Sequence, residues 1–344
     1  MPKHLRIAPA FLLVCLLAPH TAQSAEPFEQ VGYYVSAALL NPRGVRNLGM
    51  GDTGTASVNP VSSGCFNPAT IAWTNGFLLA GETGDESYNF YDDATTASDV
   101  RLSVAARVAD EWRVGGLVGF VSAERFQPFA GMFGLPPASG SDDRMLTVLG
   151  AASWTRGMVS IGAGFAAKHL DLYDIDLLTT DLSGWAFDLG LLTAFTFTPE
   201  WGMVRPRVGL ASTNLDTGWP DTGVRYEIAG EFRIAMGLDI ASSSTSVMGR
   251  SVPIVSGSID LDQYSGTGVE SGSLAVGMEV SILDLVQARI GSRDGTGDNT
   301  QYGFGLGWEF GRWMVRGDYA HWSAGYSFLE WDRDTFGLAA GMRL

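Results

Sequence analysis

Arg205 and Arg207 stand two residues apart in a stretch where apolar and polar residues alternate, so both guanidinium groups leave one face of an extended strand. Side by side they offer paired N–H donors to a carboxylate head group, a ligand contact in the lumen of whatever body these strands enclose. Arg101, Arg107, Lys168, Arg233, Arg289, Arg316 and Arg343 repeat the placement elsewhere, as do Asp188, Glu231, Asp239, Asp260, Glu279, Glu309 and Asp318. Charges of both signs on neighbouring strands would mostly neutralise one another and hold what lies between them.

Catalytic and metal chemistry find less support. Beyond the N-terminal leader the histidines are His169 and His321, each near the end of a long connection. A hydrolase acting at a lipid surface would need a histidine beside a serine; His169 is read instead as an interfacial histidine, and no catalytic residue is assigned. Asp171, Asp174 and Asp176 have loosely calcium-like spacing, but no glycine-centred loop with a closing glutamate follows. A solvated acidic loop is expected there, with no metal and no cofactor. Gly303-Phe304-Gly305-Leu306-Gly307 precedes no helix, so it reads as strand rather than phosphate cradle. Cys65 reads as a small packed hydrophobe.

The elements that must position these residues are strands. Val100, Leu102, Val104, Ala106 and Val108 share a face, as do Leu146, Val148, Gly150, Ala152 and Trp154, and the pattern recurs from Phe77 to Leu344. About 14 such segments can be counted, and period-2 alternation over about 9–11 residues is the signature of a membrane-spanning strand. The apolar faces carry no Asp, Glu, Lys or Arg. Trp154, Trp308 and Trp313 fall at short-turn ends and Trp185 at a long-loop end, as interfacial aromatic girdles require. Short links such as Arg156-Gly157 and Gly311-Arg312 alternate with long ones such as Gly84–Ser98, Glu124–Asp143 and Asp171–Ser183; Ser242–Val252 is a longer link at the short-turn end. The fold expected is all-β: a transmembrane antiparallel β-barrel over residues 76–344. With 44 Gly, 18 Phe and 10 Trp, the composition suits strands with close backbone approach. A net charge of −15 argues against nucleic acid, and no apolar run of about 18 residues offers a membrane helix.

Residues 1–25 read as a cleaved signal peptide: Lys3 and Arg6, then the apolar Ile7–Ala18, then the small residues of Ala22-Gln23-Ser24-Ala25. Residues 26–75 do not alternate. They contain Arg46-Asn47-Leu48-Gly49-Met50-Gly51-Asp52-Thr53-Gly54-Thr55-Ala56 and then Asn67-Pro68-Ala69-Thr70-Ile71-Ala72-Trp73 just ahead of the first strand. Gly49, Gly51 and Gly54 permit tight turns in a crowded space, while Asn67 and Pro68 build a rigid corner before Ala69.

This stretch resembles the N-terminal region of the FadL-like outer-membrane superfamily, including its PorV/PorQ group. Phe66 and Thr70 stand where PorV-type relatives often carry a tryptophan or tyrosine and a glycine. The resemblance implies a 14-stranded bacterial outer-membrane barrel whose N-terminal segment folds into the lumen as a hatch. It also implies passage of hydrophobic or amphipathic small molecules such as long-chain fatty acids or, in the PorV branch, presentation of secreted cargo proteins; a structural barrel without transport is the third reading. Gly115, Gly116 and Gly119 interrupt the third strand, which is expected to bulge and form a lateral gate, against the alternative of a strand packed closely on the hatch. The long loops carry Asp85, Glu86, Asp262, Asp294 and Asp332, an acidic rim expected to meet outer-membrane lipid and lipopolysaccharide through loosely held divalent cations.

Overall fold

The computed structural model describes residues 44–58, 64, 66–90, 93–123, 143–173, 179–215, 231–247, 250–266, 273–293, 298–326 and 329–342. Residues 1–43, Cys65, Arg343 and the side chain of Lys168 lie outside the described set.

Fourteen strands close into one antiparallel barrel. They are β1 (Phe77–Phe90), β2 (Asp93–Arg107), β3 (Trp112–Ala123), β4 (Asp143–Arg156), β5 (Val159–Tyr173), β6 (Thr179–Ala194), β7 (Gly202–Leu215) and β8 (Glu231–Ser242). After β9 (Ser244–Val247) and β10 (Arg250–Pro253), the barrel resumes with β11 (Val255–Gly266), β12 (Ser273–Ile282), β13 (Val286–Arg293), β14 (Asp298–Phe310), β15 (Trp313–Tyr326) and β16 (Leu329–Met342). Closure runs from Phe77 opposite Met342 to Phe90 opposite Leu329, so β1 and β16 leave no free edge. The long link at the short-turn end is the separate β9–β10 hairpin.

The burial pattern is inverted relative to a water-soluble protein. Leu306 is 68% exposed and Leu338 63%, whereas Arg207 is 2% exposed and Arg289 4%. The same alternation that turns Val100, Leu102 and Val104 outward turns Asp99 and Arg101 inward. Only a hydrocarbon solvent makes such a belt favourable, and the closed strand-to-strand ladder is what lets the wall's backbone meet it.

Two expectations need correction. Gly84–Ser98, taken as a long loop, is largely strand, as is the link between the last two strands: β1 and β2 run on to Phe90 and Asp93, and β15 and β16 to Tyr326 and Leu329. Alternation fades there because it reports lipid on one face, while the hydrogen-bond ladder continues into water without it. Glu86 and Asp262, assigned to the rim, point inward and are buried.

The lateral gate in β3 is also overturned. β3 pairs without a break from Arg113 to Ala123 with β2, and from Trp112 to Ala123 with β4. Glycine removes a side chain but no ladder donor or acceptor, and here the space is used: a Cβ on Gly115 would lie 3.1 Å from Ile71 Cδ1 in the luminal segment. The register shift among the described strands falls between Phe187 and Leu189, where β6 meets β7.

Candidate functional site

The N-terminal segment crosses the lumen. A single helical turn, Val45–Gly49, packs against the β13–β16 side, and a 3-10 turn, Pro68–Trp73, packs against β3–β6. Between them Met50–Ser57 lies along β7–β13, and Val45, Leu48, Met50 and Ala69 are buried.

The seat for this segment is built by omission. Gly162, Gly190, Gly209, Gly277, Gly291 and Gly303, one on each of six strands, face this luminal segment. A Cβ on Gly162 would overlap Pro68–Ala69, one on Gly209 would overlap Thr55–Ala56, and one on Gly291 would overlap Met50–Gly51. Gly51 itself has φ +75°, a left-handed conformation that costs glycine nothing, and its own Cβ would strike Ser292. Gly49 lies against Gly303 and Gly54 against Asn47.

Asn67 ties the two pieces together. Its Oδ1 accepts from Ala69 N at 2.9 Å, capping the 3-10 turn that Pro68 opens. Its Nδ2 donates to Thr55 O at 2.7 Å and to Leu191 O in the wall at 3.2 Å. The two variant positions fit as well: Thr70 Oγ1 donates to Asn67 O at 2.8 Å, and the ring of Phe66 lies 4.5 Å from the Arg233 guanidinium. Asn67→Ala is expected to lower unfolding free energy by about 3 kcal/mol, since two buried carbonyls and one amide lose partners. Asn67→Ser, which keeps a capping oxygen alone, should recover part of that loss in thermal unfolding monitored by heat-modifiable gel mobility.

Charged side chains lock the seated segment. Arg46 grips Glu279 through Nε (3.0 Å) and Nη2 (3.2 Å) and donates to Ser57 Oγ. Glu279 also accepts from Arg289, which reaches Asp318 at 2.8 Å. Asp262 Oδ2 accepts from Gly54 N and Thr55 N, both at 3.0 Å, and Arg293 pairs with Asp52 at 2.8 Å. Arg113 donates to Thr74 O and to Ala109 O and Asp110 O, pinning the end of the segment to the β2–β3 turn. Asp262, Arg293, Arg113 and Arg333 were not foreseen as luminal. Carrying the period-2 count one residue past the predicted strand ends, Leu261 and Ser292, would have found Asp262 and Arg293.

Arg205 and Arg207 have different fates. Arg207 is sealed between Asp239 and Asp260, at 2.7 Å each, and donates to Ala56 O in the hatch. It is an anchor and not a ligand contact. Arg205 bonds Asp239 through Nε at 2.8 Å, lies 5.4 Å from the Trp73 ring and reaches a cavity of about 480 Å³. Val58, Trp73, Leu78, Met203 and Met314 give this cavity its apolar lining, with Arg46, Glu82, Arg205, Asp239, Glu279 and Arg316 among its charged groups. Phe77, Pro253, Asp284 and Met342 also border it, which places its mouth at the short-turn end.

No family model matches the sequence, and no curated protein matches it by sequence. Solved structures match the fold. The TodX monoaromatic hydrocarbon channel, as its deltaS2S3 mutant, superposes with a TM-score of 0.55 at 10% identity over 89% of this chain and 100% of that one. The deltaS2 mutant gives 0.52 at 12% identity, over 89% and 99% of the two chains. The Ralstonia pickettii toluene transporter TbuX gives 0.52 at 11% identity over the same shares. With fourteen strands closed around an interior segment, this chain has the barrel fold of those hydrocarbon channels.

Proposed function

We propose that the protein is a passive uptake channel of the bacterial outer membrane for hydrophobic or amphipathic small molecules. In this reading residues 1–25 are a cleaved leader, 26–75 the hatch and 76–344 the barrel, with long hairpins outside among lipopolysaccharide and short turns in the periplasm. The observation that carries it is the half-apolar cavity between the seated hatch and the short-turn mouth, where Trp73 and two methionines face the Arg205–Asp239 pair. Such a lining accepts an apolar body and orients one polar end. The neighbours described as a hydrocarbon channel and a toluene transporter support conduction rather than catalysis as the main activity. Cargo presentation would rest on loops outside the described residues, and no described feature favours it.

Filling the cavity tests the proposal. Met203→Trp with Met314→Trp should cut uptake of radiolabelled oleate or toluene by cells about tenfold, with the barrel still folded by gel mobility. Unchanged uptake of both compounds in the folded double variant would remove the cavity from the route. The two probes separate an amphiphile channel from a hydrocarbon channel.

A further inference from the structure

A second group of chemistry-bearing residues lies outside the lumen altogether. Along the lipid-facing side of β14, β15 and β16, where Phe304, Leu306, Phe336 and Leu338 are exposed apolar side chains, four polar side chains join into one cluster. Tyr302, His321 and Asp334 lie opposite one another on the three adjacent strands. Asp334 Oδ1 accepts from Tyr319 Oη at 2.6 Å and meets His321 Nδ1 at 3.1 Å, while the Tyr302 ring lies 5.0 Å from the imidazole. With Nδ1 turned to the carboxylate, His321 has Nε2 as the ring nitrogen left to face a nucleophile. Ser323 follows two residues later on the same face, about 7 Å along the strand, and its hydroxyl has no hydrogen-bond partner among the described residues.

Position makes this cluster more than an interfacial decoration. Ionisable groups on a lipid-facing wall are costly, and tyrosines alone would serve to anchor the interface. His321 lies eight residues above Trp313. On a tilted strand that is about 20 Å up an apolar band about 25 Å tall. This is the depth at which acyl esters of membrane lipids lie, just beneath their head groups.

We propose that Ser323, His321 and Asp334 form an acyl-hydrolase site on the lipid-facing wall, acting on fatty-acyl esters of the surrounding lipid. Ser323 Oγ attacks the ester carbonyl and gives its proton to His321 Nε2. The bond from carbonyl carbon to alcohol oxygen then breaks, and that oxygen leaves with the proton from Nε2. Water next gives a proton to Nε2 as its oxygen bonds the acyl carbon; the Oγ–carbon bond breaks and Oγ regains its proton. The net change is ester plus water to fatty acid plus lipid alcohol. Asp334 is the positioning residue that orients the imidazole and stabilises its charged form. Tyr302 is the O–H donor that the cluster offers to the developing oxyanion. The site is independent of the lumen, so its failure and failure of the uptake proposal are separate results.

The test uses the full-length barrel in mixed micelles, with a diacyl phosphatidylcholine in one arm and purified lipid A in the other, and mass spectrometry of released fatty acid. Wild type should release fatty acid from at least one substrate, and the arm that responds identifies the ester. Ser323→Ala and His321→Asn should each lose at least about 100-fold in rate while keeping heat-modifiable mobility. Asp334→Asn should lower kcat with KM unchanged. An alkyl fluorophosphonate should add covalently to Ser323 in wild type and not in His321→Asn. No release above blank from either lipid, equal rates in Ser323→Ala, or an adduct on another residue overturns the proposal.

Discussion

Arg207→Ala is expected to destabilise the folded barrel by about 3–5 kcal/mol, whereas Arg205→Ala, two residues away, should cost about 1 kcal/mol or less. Both arginines touch Asp239, but Arg207 is also the close partner of Asp260, whose side chain is 1% exposed, and it holds the Ala56 carbonyl of the hatch. Its removal strands a buried carboxylate and frees the centre of the hatch. Removal of Arg205 leaves Asp239 still held by Arg207. Thermal unfolding in detergent reads both values. The double variant Arg207→Met with Asp260→Leu should regain most of the lost stability, because a buried pair replaced by apolar residues of similar volume is close to neutral. Equal effects from Arg205→Ala and Arg207→Ala would mean that the hatch is not anchored where the structure places it.

Gly291→Leu should unseat the hatch. The leucine side chain would occupy the space of Met50 and Gly51, and β13 cannot retreat because it is paired to β12 and β14 on both sides. The segment must yield, losing the Asp262 contacts to Gly54 and Thr55 and the Arg293–Asp52 pair, with a cost of about 3 kcal/mol from overpacking alone. Conductance in planar bilayers should rise, and residues 44–58 should become open to protease in detergent. Gly150→Leu is the control: that glycine has open space where its Cβ would stand, so conductance and cleavage should stay at wild-type levels. A tightly closed, protease-resistant Gly291→Leu barrel would show that the seat is not what keeps the lumen filled.

Much of the wall was legible residue by residue. Val100, Leu102 and Val104 against Asp99 and Arg101 already separate a lipid face from an interior face. The strand count held because each crossing of the bilayer imposes its own alternating run. The ends of the strands were not legible. Once the outer face leaves the lipid, as at Asp85, the ladder needs no apolar partner, so β1 continues where the pattern has stopped. The glycines of β3 misled for a related reason. Composition shows that a Cβ is missing but not what occupies the space, and at Gly115 the occupant is Ile71 rather than a gap. Asn67-Pro68 could be read as a corner, yet its bonds to Thr55 and Leu191 join positions far apart in the chain and follow from no local rule.

The sequence by itself determined the solvent on each side of the wall, because alternation at period 2 assigns every side chain to lipid or to lumen before any contact is known. Only the tertiary structure decided which luminal charges are anchors and which reach open space. Arg205 and Arg207 are the same residue on the same face, and Asp260, on another strand, seals one of them. Likewise Tyr319, His321 and Asp334 become a cluster only when β15 and β16 settle into one register, since a slip of one residue would turn the aspartate to the other face. Pairing register is a property of the whole closed barrel, fixed by fourteen strands meeting their neighbours at once, and no single segment carries it.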